Sequence, residues 1–178
     1  IDMPEPQIRD DEVLLEMKAS GLCGSDLHLF YTPSRAEKEA GIFGLKFDPD
    51  LIPGHEPCGQ VVQVGASVKH LKIGDRVAVA HISGCGNCSN CRKGWDMHCP
   101  DKEIYGGHIQ GAFAEFMPAR AKDCVKLPEN ISYEDGAFYT CGASTGYYSL
   151  QRGNLKGGET VLCVGLGPVG LAGAFFAS

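Results

Sequence analysis

The chain has 178 residues, 43% of them apolar and 21% charged, a balance ordinary for a folded protein with a sizeable core. Sixteen Lys and Arg against twenty-two Asp and Glu leave a net charge of −6, and no basic stripe interleaved with aromatics occurs, so no nucleic-acid partner is expected. No apolar run approaches the ~20 residues of a membrane span, so no membrane partner is expected either.

Residue 1 is Ile, in a PEP-type linker, and the last residues, LAGAFFAS, form an apolar helix with no stop signal. Both ends therefore read as cuts in a longer protein. Residues 13–19 (VLLEMKA) alternate like a half-buried strand, and GLCGSDLH then breaks the pattern with two glycines. That tight turn gathers Cys23, Ser25, Asp26 and His28. From about Tyr31 to Asp50 there is no period, which reads as a surface excursion. His55 and Glu56 then precede GQVVQVG (59–65), the first of a series of short strands. KIGDRVAVA (72–80), AFAEFM (112–117) and DCVKLP (123–128) continue it, separated by Gly, Asp or Pro turns. Short strands at such spacing predict a barrel-like β domain.

Between two of these strands stand Cys85, Cys88, Cys91 and Cys99, four sulfurs within fifteen residues. Three ligands at two-residue gaps, and a fourth after seven more, let a short loop wrap one tetrahedral ion. Zn²⁺ on four thiolates, with bonds of about 2.3 Å, is the expected occupant. Disulfides fit less well, because the nine cysteines are an odd number and no secretory segment is visible. A reducing, cytoplasmic setting is expected.

The character changes from Ser132, which with Asp135 resembles a helix N-cap with an acidic first turn. A second helix is predicted over 144–151, with Cys141 at the seam just before it. TVLCVG (160–165) then reads as a buried strand and LGPVGLAGAFFA opens a helix, the order that starts a doubly wound α/β unit. Gly165, Gly167 and Gly170 match G-x-G-x-x-G in the strand–turn–helix context that gives the motif meaning. The first glycine allows the tight turn, the second lets the backbone approach a pyrophosphate, and the third lets helix and strand pack closely. Pro168 suits the first helical turn. A domain boundary is placed near residue 142.

Cys23, His55 and Cys141 come from three separate loops, and one His with two Cys is a known ligand set for catalytic zinc. Read from the residues alone the set stays open. A cysteine at a glycine turn is more often a small buried residue, and a lone His is more often packing.

Taken together, the motifs resemble the zinc-dependent medium-chain alcohol dehydrogenase family. GHE-x2-G-x5-G-x2-V, residues 54 to 68, matches that family's zinc signature at every fixed position. The CGSDLH turn, the four-cysteine loop, GDRVAV, GAFAEF and GLGPVG follow in the family's order. The resemblance implies a GroES-like β-barrel catalytic domain (1–142), followed by the beginning of a Rossmann domain (143–178), with an active site between them.

The resemblance also implies roles. Cys23, His55 and Cys141 become ligands of a catalytic zinc, with Glu56 behind the metal as a transient fourth ligand. Asp26 fixes the tautomer of His55. Ser25 contacts the substrate oxygen and His28 ends the proton relay. Cys85, Cys88, Cys91 and Cys99 hold a structural zinc, and Gly165, Gly167, Pro168, Val169 and Gly170 cradle NAD or NADP. The implied reaction interconverts an alcohol with an aldehyde or ketone by hydride transfer, on a small-molecule substrate, in a homo-oligomer (dimer or tetramer) of the full-length protein. Polyol, threonine or aldehyde oxidation is the alternative within the family, a zinc-free reductase another, and a zinc-stabilised non-enzymatic module the alternative outside it.

Two positions depart from family patterns. Gly24 stands where some members carry a basic residue near the cofactor phosphates. Cys141 differs from the polyol branch, where Glu is frequent. The 31–50 excursion is expected near the cleft. Cys58, Cys124 and Cys163 are expected as buried thiols on strands, Trp95 as a packing residue of the loop, and His70, His81, His98 and His108 carry no assigned role.

Overall fold

A computed structural model describes residues 3–31 and 51–178, so the predicted excursion lies, except for Tyr31, outside the described residues. Five strands form one antiparallel sheet in the order β6-β1-β2-β3-β7. They are β1 (Glu12–Gly21), β2 (Glu56–Val64), β3 (Arg76–Val79), β6 (Phe116–Arg120) and β7 (Cys124–Lys126). A two-stranded ribbon, β4 (Ile82–Ser83) with β5 (Glu103–Ile104), closes the base of the four-cysteine loop.

The first half of β1 is buried on both faces rather than half-buried. Val13 and Leu15 join Val61, Val77, Val79 and Met117 in the main core. Leu14, only 1% exposed, lies outside that cluster, and the sheet there also carries helix α2 (Tyr133–Phe138) packed against β1 and β2. Cys58 lies under that helix, where a methyl at Gly136 would meet its sulfur. Full burial of each such aliphatic side chain contributes about 1.5–3 kcal/mol. Register shifts on β1 between Leu14 and Leu15 and between Met17 and Ala19 bend the strand. Such irregularities re-aim a strand end, and this one leads directly into Cys23.

Predicted elements hold with local corrections. GLCGSDLH does not stay a turn: Gly24–Tyr31 form helix α1, whose first turn Asp26 favours by its charge. In 112–117 only the end is strand, the preceding residues being a bend. The Ser132 cap is present, its Oγ accepting from Asp135 N at 3.0 Å. Arg76 fixes the approach to that cap by donating to the carbonyls of Pro128, Glu129 and Ile131 and stacking 4.4 Å over Tyr133. A π-helical turn, Tyr139–Ala143, joins α2 to α3 (Ser144–Arg152), and α4 (Pro168–Ala177) packs on α3.

Residues 160–165 are the main correction. They run without β pairing, and Leu162 and Val164 are 86% and 90% exposed. Cys163, expected buried on this strand, is half-buried in unpaired backbone. A parallel strand acquires hydrogen bonds only from neighbours reached through crossovers, and none of the described residues supplies one.

Candidate active site and metal centres

The bent end of β1, the N-terminus of α1, the start of β2 and the π-helical turn converge on one point. There the Cys23, His55, Glu56 and Cys141 donor atoms all lie within 4.8 Å of one another. The sequence-predicted set is thus brought together from four elements. Asp26, 6% exposed, braces it twice: Oδ1 accepts from His55 Nδ1 at 3.1 Å and Oδ2 from the Cys23 amide at 2.8 Å. With Nδ1 carrying the proton, Nε2 is the imidazole's donor atom, and Ser25 Oγ lies 3.4 Å from it. His28 follows Ser25 by three residues on α1, on the same helix face, and is exposed. Glu56 opens β2 opposite Gly21, where any side chain would overlap its carboxylate. Glycine at 21 is therefore a condition of the site.

The protonation pattern is that of a cation site. Burial alone would lower His55, but the Asp26 bond and then Cys23 outweigh it and raise its pKa to about 10. The Cys141–Cys23 hydrogen bond, with His55 second, holds the Cys23 thiol far below the ordinary range. The same bond, reinforced by burial, pushes Cys141 far above it. Burial first and Cys23 second raise the Glu56 carboxyl. Two sulfurs this close cannot both ionise without a compensating positive charge, which a zinc ion held by these residues would supply. The donor set fits Zn²⁺.

The second cluster stands on the β4–β5 ribbon. The sulfurs of Cys85, Cys88, Cys91 and Cys99 also lie within 4.8 Å of one another. The Cys85 amide donates to Cys99 Sγ and the Cys91 amide to Cys88 Sγ, each at 3.4 Å. Amides aimed at sulfur favour thiolates, and those of Asn87 and then Cys88 lower Cys85 to about 7. Asn90 Nδ2 reaches the His98 carbonyl at 2.7 Å and closes the loop. Below it, Arg120 binds Ser83 and Glu103, Lys122 binds Ser83, and the buried Tyr105 hydroxyl donates to Asp123 at 3.0 Å. Four sulfurs are enough to complete a tetrahedron around one ion, which makes this a structural type of site.

A cleft of about 760 Å³ is lined by Cys23, Glu56, Phe138, Gly165, Gly167 and Pro168, so two members of the first cluster and the glycine motif face one cavity. Gly165 has φ +93°, Gly167 is the extended residue before α4, and Pro168 opens the helix as predicted. A side chain at Gly170 would strike the Gly165 carbonyl. Val169 lines the same cleft, and Gly24 faces it with open space where a side chain would stand.

His81 is the residue that sequence reasoning missed. Its ring lies 5.8 Å from that of His55, and its Nδ1 donates to the Thr140 carbonyl at 2.8 Å. Burial holds its pKa below the ordinary value. Nothing in its spacing distinguishes it from His70, which bonds the Ala121 carbonyl, or His108, which accepts from the Ile104 amide. Cys58 and Cys124 are buried as expected. Trp95 is 45% exposed; it meets His98 edge-on and faces a second groove with Thr140 and Tyr148, so it packs only in part. Among the described residues no helix is long and apolar enough to cross a membrane.

Residues 9–129 match the alcohol dehydrogenase GroES-like domain family. The uncharacterized zinc-type alcohol dehydrogenase-like protein YphC of Escherichia coli (strain K12) is 47% identical over 173 residues, which are 96% of this chain and 48% of that protein. Sorbitol dehydrogenase of Bacillus subtilis (strain 168) is 38% identical over 170 residues, 95% of this chain and 46% of that protein. The solved structure of a cobalt and zinc bound thermostable alcohol dehydrogenase from Pyrobaculum aerophilum superimposes with a TM-score of 0.85 at 29% identity, over 99% of this chain and 51% of that one. The chain spans about half the length of the curated relatives it matches.

Proposed function

The chain belongs to the zinc-dependent medium-chain alcohol dehydrogenase family, and from that premise we propose that it forms the catalytic half of an oxidoreductase that moves a hydride between a small alcohol and NAD or NADP. The observation that carries this reading is the shared cleft: Cys23 and Glu56, two members of the clustered metal donors, line the same cavity as the glycine turn of α4. We assign 1–142 to the GroES-like catalytic domain and 143–178 to the start of the cofactor domain.

When bound, zinc at Cys23, His55 and Cys141 acts as a Lewis acid that acidifies the alcohol hydroxyl, and the nicotinamide takes up the hydride. The protein's own residues orient and deprotonate. Asp26 keeps His55 presenting Nε2. Ser25, beside that nitrogen, takes the hydroxyl proton of the substrate, and His28 passes it on to solvent. Glu56, whose carboxylate belongs to the same donor cluster, can exchange with a ligand. Gly167 and the first amides of α4 receive the cofactor phosphates. Cys85, Cys88, Cys91 and Cys99 hold the structural ion. Cys141 in the third ligand position favours a simple alcohol over a polyol, while the likeness to sorbitol dehydrogenase keeps polyols in the test panel. Turnover of an alcohol panel by the full-length enzyme with each nicotinamide tests the reading, and two zincs per chain with no oxidation of any of them would contradict it.

Two outcomes follow at this site. Ser25→Ala is expected to lower turnover about 10²–10⁴-fold, the usual contribution of a proton relay, while zinc content stays at two per chain. Equal losses of zinc and turnover would make Ser25 a structural residue. Ligand protonation sets the second. In the metal-free protein His55 keeps its proton up to about pH 10 and Cys141 keeps its own well above the ordinary thiol range, whereas Cys23 is already ionised. Filling this site at pH 7 should therefore release about two protons per ion, and affinity should rise with pH. Calorimetric titration in buffers of different ionisation enthalpy counts them; a count near zero would contradict the assignment.

A further inference from the structure

The metal donors are placed by different means. Cys23 is tied by its own amide and His55 by its own ring, both to Asp26. The Cys141 sulfur instead bonds only to other members of the cluster among the described residues, Cys23 and Glu56. Cys141 sits in the middle of a π-helical turn, a rare wide turn that is frequently found at functional sites. Two hydroxyls secure the turn from within, Thr140 Oγ1 donating to the Ala137 carbonyl at 2.7 Å and Ser144 Oγ to the Cys141 carbonyl at 3.1 Å. From outside, the Thr140 carbonyl accepts from His81 Nδ1 at 2.8 Å. A carbonyl can only accept, so Nδ1 carries the imidazole proton, and the bond joins the peptide next to Cys141 to a residue fifty-nine positions away.

We propose that His81 is a positioning residue for the reactive metal: its bond to the Thr140 carbonyl sets where the Cys141 sulfur stands relative to Cys23 and His55. His81 immediately precedes β4 and stands four residues before Cys85. The bond therefore also runs from the frame of the four-cysteine loop to a ligand of the other ion. The arrangement gives the four-cysteine site a second use: its order reaches the other site through one short strand and one hydrogen bond. This inference rests on the ligand assignment proposed above.

The test uses the full-length enzyme with Co²⁺ in the Cys23–His55–Cys141 site, because thiolate–cobalt charge-transfer absorption reports sulfur placement directly. Two variants separate the bond from the bulk of the ring. His81→Asn puts an amide N–H where Nδ1–H stands, whereas His81→Leu fills the space without a donor. His81→Leu is expected to weaken metal at this site about tenfold or more, the low end for loss of an outer hydrogen bond, and to shift the charge-transfer band. Zinc at the four-cysteine loop should stay at one per chain. His81→Asn is expected to restore both affinity and band to near the parent. If His81→Leu does not fold, the asparagine variant decides: a parental band supports the proposal and a displaced one overturns it. Parental affinity and absorption in His81→Leu, or no recovery in His81→Asn, would also overturn it. Failure of the underlying ligand assignment looks different, since the parent enzyme itself would then bind a single metal and show no thiolate–cobalt band from this site.

Discussion

Cys141→Ser is expected to reduce the full-length enzyme from two zincs per chain to one and to lower turnover by about 10³-fold or more. The magnitude follows from the several kcal/mol of charge stabilisation that a Lewis acid contributes, at about 1.36 kcal/mol per decade of rate. Serine nearly matches cysteine in size, but its hydroxyl does not ionise near neutrality and is a poor donor for zinc. The fold should survive the change. The bonds that shape the π-helical turn come from Thr140, Ser144 and His81 and reach only backbone carbonyls, none of them involving the Cys141 sulfur. Metal analysis and a melting curve decide the matter together. Two tightly held zincs in the variant would remove Cys141 from the ligand set.

Cys88→Ser should behave in the opposite way, damaging the fold first and the chemistry only through it. The sulfurs of Cys85, Cys88, Cys91 and Cys99 hold the loop between β4 and β5. That loop has almost no core of its own: its two short 3₁₀ turns, Cys91–Lys93 and Asp96–His98, contain no buried residue. A structural zinc contributes folding free energy outright, on the order of 10 kcal/mol in small isolated sites. Even a third of that lost here would lower the melting temperature by roughly 10 °C, at about 2–4 °C per kcal/mol for a protein of this size class. An unchanged melting temperature with selective loss of turnover would assign this ion to the chemistry instead. Because His81 lies just ahead of this loop, the same variant should also loosen metal at the Cys23 site, which cobalt absorption can follow separately.

Asp26→Asn is expected to weaken metal at the Cys23 site by about 10–100-fold, the usual effect of losing the outer partner of a ligating imidazole. Chelator competition measures it. An unaltered affinity would mean that His55 needs no external partner to present Nε2.

Short-range pattern carried a large share of this molecule into the sequence itself. The four-cysteine loop was readable because all its donors lie within fifteen residues, so no tertiary knowledge is needed to bring them together. The Ser132 cap, the glycine turn before α4 and strands β2, β3 and β7 were legible for the same reason, each being specified by its neighbours. Cys23, His55 and Cys141 were different. They stand up to 118 positions apart (141 − 23), and their residue types alone did not outweigh ordinary packing; only the resemblance to a family singled them out. Local pattern fails outright at 160–165, where an apolar run predicts a buried strand and the backbone is unpaired. Whether such a run pairs depends on strands elsewhere in the chain, and β hydrogen bonds are non-local by nature.

The sequence by itself therefore determined the closed metal loop, the phosphate-type turn and the small-stranded character of the first domain, all of them properties of residues within one loop or turn of each other. Tertiary structure alone decided that the bent end of β1, the head of β2 and a π-helical turn meet within one coordination radius. It also decided that His81, otherwise one unassigned histidine among several, grips the carbonyl beside Cys141. The physical reason is the same in both cases: hydrogen bonds and metal ligation act over about 3 Å of space, and separation along the chain does not predict separation in space.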